Sequence, residues 1–235
     1  MTGDGPSDRG AALFDVDGTL MDTVQLHTVA WWEALRQNGR TVAMTDIQRA
    51  IGMGSDHLLD ALAGEDRDRS GDTGLKTAHD ALYAQFWSRL APLGQAANLL
   101  RACADRGLRV VLASSASGRE ADVMIRALGA GDAVHAVTTA DDVESSKPAP
   151  DIVRQALDRA GVTAERAVFV GDAVWDLQSA RKAGVTGLGV LTGGGYSREE
   201  LLDAGAARVY RSPADLLAHL DDSPLGRLAA GKSPH

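Results

Sequence analysis

The chain lacks the features that would place it outside a reducing, aqueous compartment. It has one cysteine, Cys103, so no intrachain disulfide can form. No stretch approaches the roughly 18–20 uninterrupted apolar residues that a membrane-spanning helix needs. The first ten residues are polar and lack the apolar centre of a signal peptide. These absences predict a cytoplasmic protein that does not enter membranes.

Positive charge is also scarce. The chain has 24 Lys and Arg against 32 Asp and Glu, which gives a formal net charge of −8, and it contains no run of basic residues. A negative field repels nucleic acids and anionic lipids, so we expect neither as a partner. The apolar share of 44% and the charged share of 24% are those of an ordinary globular protein.

What the sequence does contain is an alternation of short apolar runs and helical patterns. Six runs are typical of buried parallel strands: Ala11–Phe14, Leu108–Ala113, Ala133–Thr138, Ala167–Val170, Val185–Val190 and Ala207–Tyr210. Helix-period stretches separate several of them, at Gln95–Arg106, Arg119–Leu128, Asp151–Ala160, Trp175–Ala183 and Pro213–Leu220. This alternation predicts an α/β fold, a doubly wound and mostly parallel sheet with helices on both faces.

One region interrupts the alternation. Between residues 23 and 90 we find only helical patterns, at Val24–Asn38, Asp46–Ala50, Asp56–Ala63 and Leu75–Leu90. We interpret residues 23–90 as an inserted all-helical cap domain, and residues 10–22 together with 91–221 as the α/β core. Residues 1–9 and 222–235 show no periodicity, and we expect them to be flexible tails.

Polar clusters follow four of the predicted strands, at the edge where parallel sheets carry their active sites. They are Asp15–Asp22, Ser114–Ser117, Ser146–Asp151 and Gly171–Asp176. Each cluster alone has an ordinary explanation, such as a turn or a helix cap. Together they do not, because the string Asp-x-Asp-Gly-Thr alone is expected by chance on the order of 10⁻³–10⁻² times in such a chain. We therefore expect carboxylates, hydroxyls and one ammonium to converge at a single site.

The four clusters resemble the motifs of the haloacid dehalogenase superfamily, in the branch with a helical cap inserted after the first motif. The match extends over roughly residues 11–220. The resemblance implies that Asp15 is the nucleophile that becomes phosphorylated, and that Asp17 is the general acid and base. It also implies that Ser114 and Lys147 hold the phosphoryl oxygens. Asp17 points to phosphate-ester chemistry, since dehalogenases of the superfamily carry an aromatic residue at that position.

The predicted phosphate chemistry also requires a magnesium ion. Several carboxylates facing a dianionic phosphate would repel it, so the chemistry needs a cation. Oxygen ligands are typical of Mg²⁺, held by the side chains of Asp15 and Asp172 and the backbone carbonyl of Asp17. Asp176 is expected to hold a metal-bound water or to orient Lys147. The alternative for Asp176 is a carboxylate that stabilises a helix N-terminus.

Four cap residues are candidates for substrate contact: His27, Gly54, Ser55 and His79. His27 either faces the site or is a partly buried helix histidine. The loop around Gly54 and Ser55 is our hypothesis for the substrate-selecting element, because small residues allow close backbone approach. Our approximate register places His79 where related mutases have a cap lysine, and few cationic side chains occur near the cap's presumed site face.

The predicted function is that of a Mg²⁺-dependent phosphatase, which hydrolyses a small phosphorylated metabolite through an aspartyl-phosphate intermediate. The resemblance is to phosphatases of the phosphoglycolate type. One alternative is a sugar phosphomutase of the β-phosphoglucomutase type, which the segment Phe14–Gly39 resembles as well. The cap loop Ile51–Asp56 contains no arginine, which disfavours a mutase. A second alternative is a non-catalytic, phosphorylation-dependent module, although receiver domains are about half this length.

Overall fold

The fold is built on one parallel sheet. A computed structural model describes residues 9–234, so residues 1–8 of the predicted N-terminal tail lie outside the described part. The strands are β1 (Ala11–Phe14), β2 (Arg109–Ala113), β3 (Val134–Thr138), β4 (Ala167–Gly171), β5 (Thr186–Val190) and β6 (Ala206–Tyr210). They are arranged in the order β3-β2-β1-β4-β5-β6, and every neighbouring pair is parallel. The strand order reverses between β1 and β4, where ligands of doubly wound sheets bind.

Helices complete the chain in two groups. Four lie in the segment predicted as the cap: α1 (Val24–Gln37), α2 (Met44–Ala50), α3 (Ser55–Ala63) and α4 (Asp72–Ala84). The others are α5 (Ala96–Asp105), α6 (Gly118–Leu128), α7 (Asp151–Ala160), α8 (Val174–Lys182), α9 (Arg198–Ala204), α10 (Pro213–Ala218) and α11 (Pro224–Ala229). Short 3₁₀ turns lie at Arg69–Gly71, Trp87–Arg89, Ala140–Asp142 and Ala164–Arg166.

The sheet is covered on both faces, which confirms the doubly wound architecture. Successive side chains of a strand point to opposite faces. Ala12 and Phe14 of β1 accordingly pack into one apolar cluster with residues of α5, α6, α10 and α11. Ala11 and Leu13 pack into the other cluster, with residues of α7 and α8. A strand buried on both faces reads as a continuous apolar run, which is why β1 was recognisable in the sequence.

The helices α1 to α4 have an apolar cluster of their own. It includes Trp31 and Leu35 of α1, Ile47 of α2 and Leu59 of α3, and it is separate from the clusters that cover the sheet. The two chain segments that enter and leave this region run side by side, since the Asp22 N–H donates to the Ala91 carbonyl at 3.0 Å. These paired linkers are the physical basis for our proposed division into core and cap.

Three elements differ from the sequence-based expectation. The predicted helix Leu75–Leu90 ends at Ala84, and a 3₁₀ turn follows it. The helix α9 was missed, although the capping box of Ser197 and Glu200 is a sequence signal for its start. The region 222–235 was expected to be a tail, and that was wrong for residues 224–229. These form α11, whose Leu225 and Leu228 are buried in the core.

The helix α11 escaped prediction because it lies within a stretch rich in Gly, Lys, Ser and Pro near the chain end, which we interpreted as a tail. Its start carries the local signals of a helix N-terminus, since Pro224 is the first helical residue and the Ser223 hydroxyl accepts a hydrogen bond from Gly226 N–H. Within residues 9–234, no helix is both long enough and apolar enough to cross a bilayer.

Candidate active site

Asp15 is the centre of a buried ion-pair array at the C-terminal end of β1. Its side chain accepts a hydrogen bond from the Lys147 ammonium, with 2.6 Å between Nζ and Oδ1. The same Nζ lies 2.8 Å from Asp176 Oδ1 and donates to the Ala113 carbonyl at 3.2 Å. Lys147 is fully buried and Asp15 is 3% exposed. Three of the four polar clusters of the sequence therefore meet at one ammonium group.

Asp172 joins this array from the end of β4. The Thr19 hydroxyl donates to Asp172 Oδ1 at 3.0 Å, which ties the first motif to the last. Gly18, the residue before Thr19, has a φ of +77°. A Cβ at position 18 would lie 2.5 Å from Asp172 Oδ2. Only glycine combines this backbone conformation with this close approach. The Asp-Gly-Thr part of the first motif thus has a structural reason: it brings the loop against Asp172.

The array fits a divalent cation. Carboxylate oxygens of Asp15, Asp172 and Asp176 all lie within 4.8 Å of one another, and all three residues are buried. Burial and the charge of Asp176 raise the pKa of Asp15 to about 7, although Lys147 acts in the opposite direction. Burial, together with Asp176 and Asp15, raises the pKa of Asp172 well above its ordinary value. Three carboxylates against one ammonium leave an excess of negative charge, and oxygen donors suit Mg²⁺.

Asp17 has different surroundings. Its Oδ1 accepts a hydrogen bond from the Thr23 hydroxyl at 2.5 Å and lies 3.2 Å from His27 Nε2. Burial alone would raise the pKa of Asp17, but the charge of His27 and both hydrogen bonds outweigh burial, so this pKa lies below its ordinary value. Burial likewise acts against the charge on His27, but Asp17 raises the pKa of His27 overall. The shared proton of this pair therefore resides on His27.

His27 continues into a chain of hydrogen bonds within the cap. Its Nδ1 lies 3.1 Å from His79 Nε2, and His79 Nδ1 lies 3.0 Å from Asp80 Oδ1. Because a carboxylate only accepts, His79 Nδ1 donates to Asp80, and a neutral His79 then accepts from His27 Nδ1. Burial lowers the pKa of His79 and favours that neutral form. Rings stack on both histidines, with centroids 3.8 Å apart for His27 and Tyr83 and 4.2 Å apart for His79 and Trp31.

A cavity of about 250 Å³ opens beside Asp15 and Asp17, between α1 to α4 and the sheet edge. Besides Asp15, Asp17 and His27, it is lined by Trp31, Ile51, Gly52, Met53, Ser55, Leu58, Lys76, His79, Asp80, Ser115, Ala116, Ser117, Glu120, Ala140 and Asp141. The lining places His27, His79 and Ser55 at the site, as the sequence analysis proposed for substrate contact.

Lys76 is a lining residue that sequence reasoning missed, as it missed Asp80 and Glu120. We expected few cationic side chains on this face of the cap, and α4 places one, Lys76, in the cavity lining. The signal was available, because residues three apart on a helix lie on the same face and Lys76 precedes His79 by three positions.

Ser114 lies behind the cavity wall. Its side chain is fully buried, and its hydroxyl accepts a hydrogen bond from the Ala116 N–H at 3.1 Å. The neighbouring Ser115 is part of the cavity lining, and its hydroxyl donates to the Gly52 carbonyl at 3.3 Å. The contact of Ser114 with a phosphoryl group stays a prediction.

Gly54 lies at a contact between the cap and the core and is not part of the cavity lining. A Cβ at position 54 would overlap the side chain of Ser146, the residue before Lys147. Ser146 also donates a hydrogen bond to Asp56 Oδ1 at 2.7 Å. Glycine at 54 therefore lets the cap loop rest against the loop that carries Lys147, whereas Ser55 next to it faces the cavity.

Comparison with known proteins agrees with this geometry. The haloacid dehalogenase-like hydrolase family matches residues 10–184. The phosphoglycolate phosphatase of Rhodospirillum rubrum is 32% identical over 218 residues, covering 88% of each chain. A hydrolase from Pseudomonas syringae superimposes with a TM-score of 0.86 at 35% identity, covering 91% of this chain and 99% of that one. CbbY from Rhodobacter sphaeroides, solved in complex with phosphate, gives a TM-score of 0.75 at 28% identity with the same coverage.

Proposed function

The chain belongs to the haloacid dehalogenase-like hydrolase family, and from this premise we propose that it is a Mg²⁺-dependent phosphatase acting through a phosphorylated Asp15. The observation that carries the proposal is the buried array of Asp15, Lys147 and Asp172, which borders a cavity between cap and core. A carboxylate that is oriented by an ammonium group and freed from competing solvent is a competent nucleophile.

In the first step, an oxygen of Asp15 attacks phosphorus and the bond from phosphorus to the ester oxygen breaks. The departing oxygen needs a proton, and the pair of Asp17 and His27 holds one. We assign its delivery to Asp17, which borders the cavity directly. The products are an aspartyl phosphate at Asp15 and the free alcohol.

In the second step, Asp17 takes a proton from a water molecule, and the resulting hydroxide attacks the phosphorus of the aspartyl phosphate. Cleavage of the acyl-phosphate bond releases inorganic phosphate and restores the Asp15 carboxylate. The proton acquired here replaces the one donated to the leaving alcohol, so the pair of Asp17 and His27 is ready for another cycle. The raised pKa of His27 suits it to store that proton.

Mg²⁺ would be held by the side chains of Asp15 and Asp172 and the backbone carbonyl of Asp17. It would supply charge neutralisation between the nucleophile and the phosphoryl oxygens. Lys147 orients Asp15 and offsets part of the carboxylate charge, while Asp176 holds the Lys147 ammonium in place from the other side.

The cavity points to a small, doubly anionic substrate. Its volume of about 250 Å³ lies below the ~300–1,000 Å³ of common ligand sites. Lys76 brings a positive charge to the cap side of the cavity, where a second acidic group of the substrate would bind. A phosphate ester that carries a carboxylate, such as phosphoglycolate, meets both conditions and is the substrate named in the R. rubrum relative.

The test measures phosphate release from phosphoglycolate, sugar phosphates, nucleotides and p-nitrophenyl phosphate, with Mg²⁺ and with a chelator. We expect Mg²⁺-dependent turnover that Asp15→Asn lowers on the order of 10⁴-fold or more, as loss of a nucleophile does elsewhere. An Asp15→Asn protein with near wild-type turnover would refute the mechanism. Stoichiometric labelling of Asp15 without turnover would instead indicate a phosphorylation-dependent module.

The substrate assignment has its own test in Lys76→Met. Losing a charged hydrogen-bond donor of about 1.5–3 kcal/mol should raise KM for phosphoglycolate about tenfold or more. KM for p-nitrophenyl phosphate, which has no carboxylate, should change little. The exposed Lys232→Met is the matched control. Equal effects of Lys76→Met on both substrates would contradict a carboxylate site at Lys76.

Lys76 also favours a second candidate, a sugar phosphomutase, because a cap cation could hold the distal phosphate of a bisphosphorylated intermediate. The two functions differ in the acceptor of the phosphoryl group. A mutase converts a sugar phosphate into its isomer when a sugar bisphosphate is added, with little release of inorganic phosphate. A phosphatase releases phosphate in proportion to the substrate consumed.

A further inference from the structure

A second cluster of potential metal ligands lies on the cap side of Asp17. Asp17 Oδ1, His27 Nε2 and a carboxylate oxygen of Glu120 all lie within 4.8 Å of one another. Glu120 is 8% exposed, and among the described residues its Oε1 has no hydrogen-bond partner, although it lies 3.3 Å from His27 Nε2. A buried carboxylate oxygen without a hydrogen bond is costly, so a positive charge beside it is favourable. Protonated His27 supplies that charge at 3.3 Å, and a metal ion that replaces the proton on Nε2 would supply it as well.

The spacing of these atoms suits a tetrahedral metal ion. His27 Nε2 lies 3.2 Å from Asp17 Oδ1 and 3.3 Å from Glu120 Oε1. Zn²⁺ with bonds of about 2.0–2.1 Å in tetrahedral geometry separates its ligand atoms by about 3.3–3.4 Å. Three protein ligands and one position open to the cavity is also the coordination of many zinc sites. The imidazole ligand selects Zn²⁺ and similar ions over Mg²⁺, which prefers oxygen alone.

The surroundings of His27 prepare its Nε2 for a cation. Its other nitrogen donates to His79, which in turn donates to Asp80. Such a chain of outer partners fixes which nitrogen carries hydrogen and makes the facing nitrogen a stronger ligand. The stacking of Tyr83 on His27 holds the ring plane as well.

We propose that Asp17, His27 and Glu120 form a second metal site that binds Zn²⁺ and similar transition-metal ions, and that its occupation inhibits the enzyme. Inhibition follows because the ion engages the Asp17 carboxylate, which can then neither donate nor accept a proton. The site is separate from the array of Asp15 and Asp172, so Mg²⁺ and Zn²⁺ bind side by side.

The test measures Zn²⁺ binding to the full chain by calorimetry with Mg²⁺ at saturation, and Co²⁺ binding by visible absorption. We expect tight Zn²⁺ binding and the intense absorption of tetrahedral Co²⁺ in the wild type. Substituting a residue that only hydrogen-bonds a metal ligand costs about 10–100-fold in metal affinity. Glu120→Gln, which changes a ligand itself, should therefore lower the affinity for Zn²⁺ at least tenfold and abolish the Co²⁺ absorption. Glu199→Gln, an exposed position on α9, should change neither.

Asp80→Asn provides a second variant that does not touch the site, since the Asp80 side chain is 71% exposed. It should lower the affinity for Zn²⁺ by up to about tenfold, because it weakens the hydrogen bonds that run from His27 through His79 to Asp80. Unchanged Zn²⁺ affinity in folded Glu120→Gln would overturn the proposal, as would simple competition between Zn²⁺ and Mg²⁺ for one site. These binding measurements need no turnover, so they stay valid even if the proposed phosphatase activity is absent.

Discussion

Asp15 and Asp17 are two residues apart, yet they lie in opposite electrostatic surroundings. On the core side of the site, formed by Asp15, Lys147, Asp172 and Asp176, burial and the neighbouring carboxylate of Asp176 raise the pKa of Asp15 to about 7. On the cap side, formed by Asp17, His27 and His79, burial alone would raise the pKa of Asp17. The charge of His27 and the hydrogen bonds from His27 and Thr23 lower it overall. Pairs of carboxyl groups whose surroundings separate their pKa values are typical of sites in which each has a different role. Around Asp15 the carboxylates outnumber the one ammonium group, so a cation there would be favourable. Beside Asp17 the positive charge comes from His27.

The two sides also differ in how they are held. The core side is made of strand ends and loops packed over a continuous sheet, and Lys147 has no solvent contact. The cap side is held by polar contacts across the interface, such as the ion pair between Arg49 and Glu200 at 2.6 Å. The Trp175 indole also donates to the Arg49 carbonyl at 2.9 Å. We therefore expect substitutions on the core side to affect folding and those on the cap side to affect rate and substrate binding.

The largest effect is expected for Lys147→Ala. Removing one partner of a buried ion pair leaves uncompensated charge and costs about 3–5 kcal/mol. The free energy of unfolding, measured with denaturant at pH 8, should fall by about that amount, and phosphatase activity should be lost. The control is Lys182→Ala, an exposed lysine that donates to the Pro148 carbonyl. A Lys147→Ala protein as stable as this control would contradict the claim that the core side contributes to folding stability.

His27→Gln tests the cap side. We expect kcat to fall about 100-fold, within the range typical of lost acid–base catalysis. The free energy of unfolding should fall less than in Lys147→Ala, because the Thr23 hydroxyl still donates to Asp17. The pH profile distinguishes a positioning role from a structural one. Because His27 lowers the pKa of Asp17, its loss should move the acidic limb of kcat/KM to higher pH. His57→Gln, on α3 and outside the cavity lining, is the matched control. An unmoved acidic limb would contradict the pairing of His27 with Asp17.

Magnesium should stabilise the protein more at pH 8 than at pH 6. The folded-state pKa of Asp15, about 7, lies above its ordinary value of 3.8, so the folded protein retains a proton that the unfolded chain releases. Stability is therefore present at low pH and is lost as the pH rises through 7. The raised pKa values of Glu120 and His27 act with the same sign.

Bound Mg²⁺ compensates this loss at pH 8. At about 100 times its Kd, Mg²⁺ should add about 2.7 kcal/mol, or about 5–10 °C in Tm, measured by calorimetry. Asp15→Asn is the control, since it removes the Asp15 charge and should reduce the pH dependence of the metal-free protein to the part that Glu120 and His27 contribute. Equal Mg²⁺ effects at both pH values would argue against a metal at the core side.

Arg49→Ala should give the smallest change. The pair of Arg49 and Glu200 is exposed, and such pairs contribute about 0–1 kcal/mol. We expect Tm to fall by no more than about 2–4 °C. Any larger effect should appear in kcat or KM, because the contact joins the cap to the core. The control is Arg126→Ala, exposed at the end of α6. A loss of stability as large as that of Lys147→Ala would show that cap and core do not differ in how they are held.

Much of the core could be predicted because local sequence carried its signals. The strands β1, β4 and β5 are buried along their whole length, whereas the edge strands β3 and β6 keep exposed or half-buried residues. All six nevertheless contain a short apolar run that the sequence shows. The elements that were missed, α9 and α11, are seven and six residues long, and their local signals are the capping residues Ser197 and Ser223 rather than a helical period. Lys76 was missed although its signal is local: it lies three positions before His79, a sequence-based site candidate on the same helix face.

The sequence by itself determined the sheet, the order of its motifs and the chemical types at its edge, because strand burial and motif spacing are local properties of the chain. Only the tertiary structure decided that Lys147 bridges Asp15 and Asp176, that Ser115 rather than Ser114 faces the cavity, and that a histidine chain reaches Asp17. These depend on contacts between residues far apart in the chain, whose distances and burial no local pattern records.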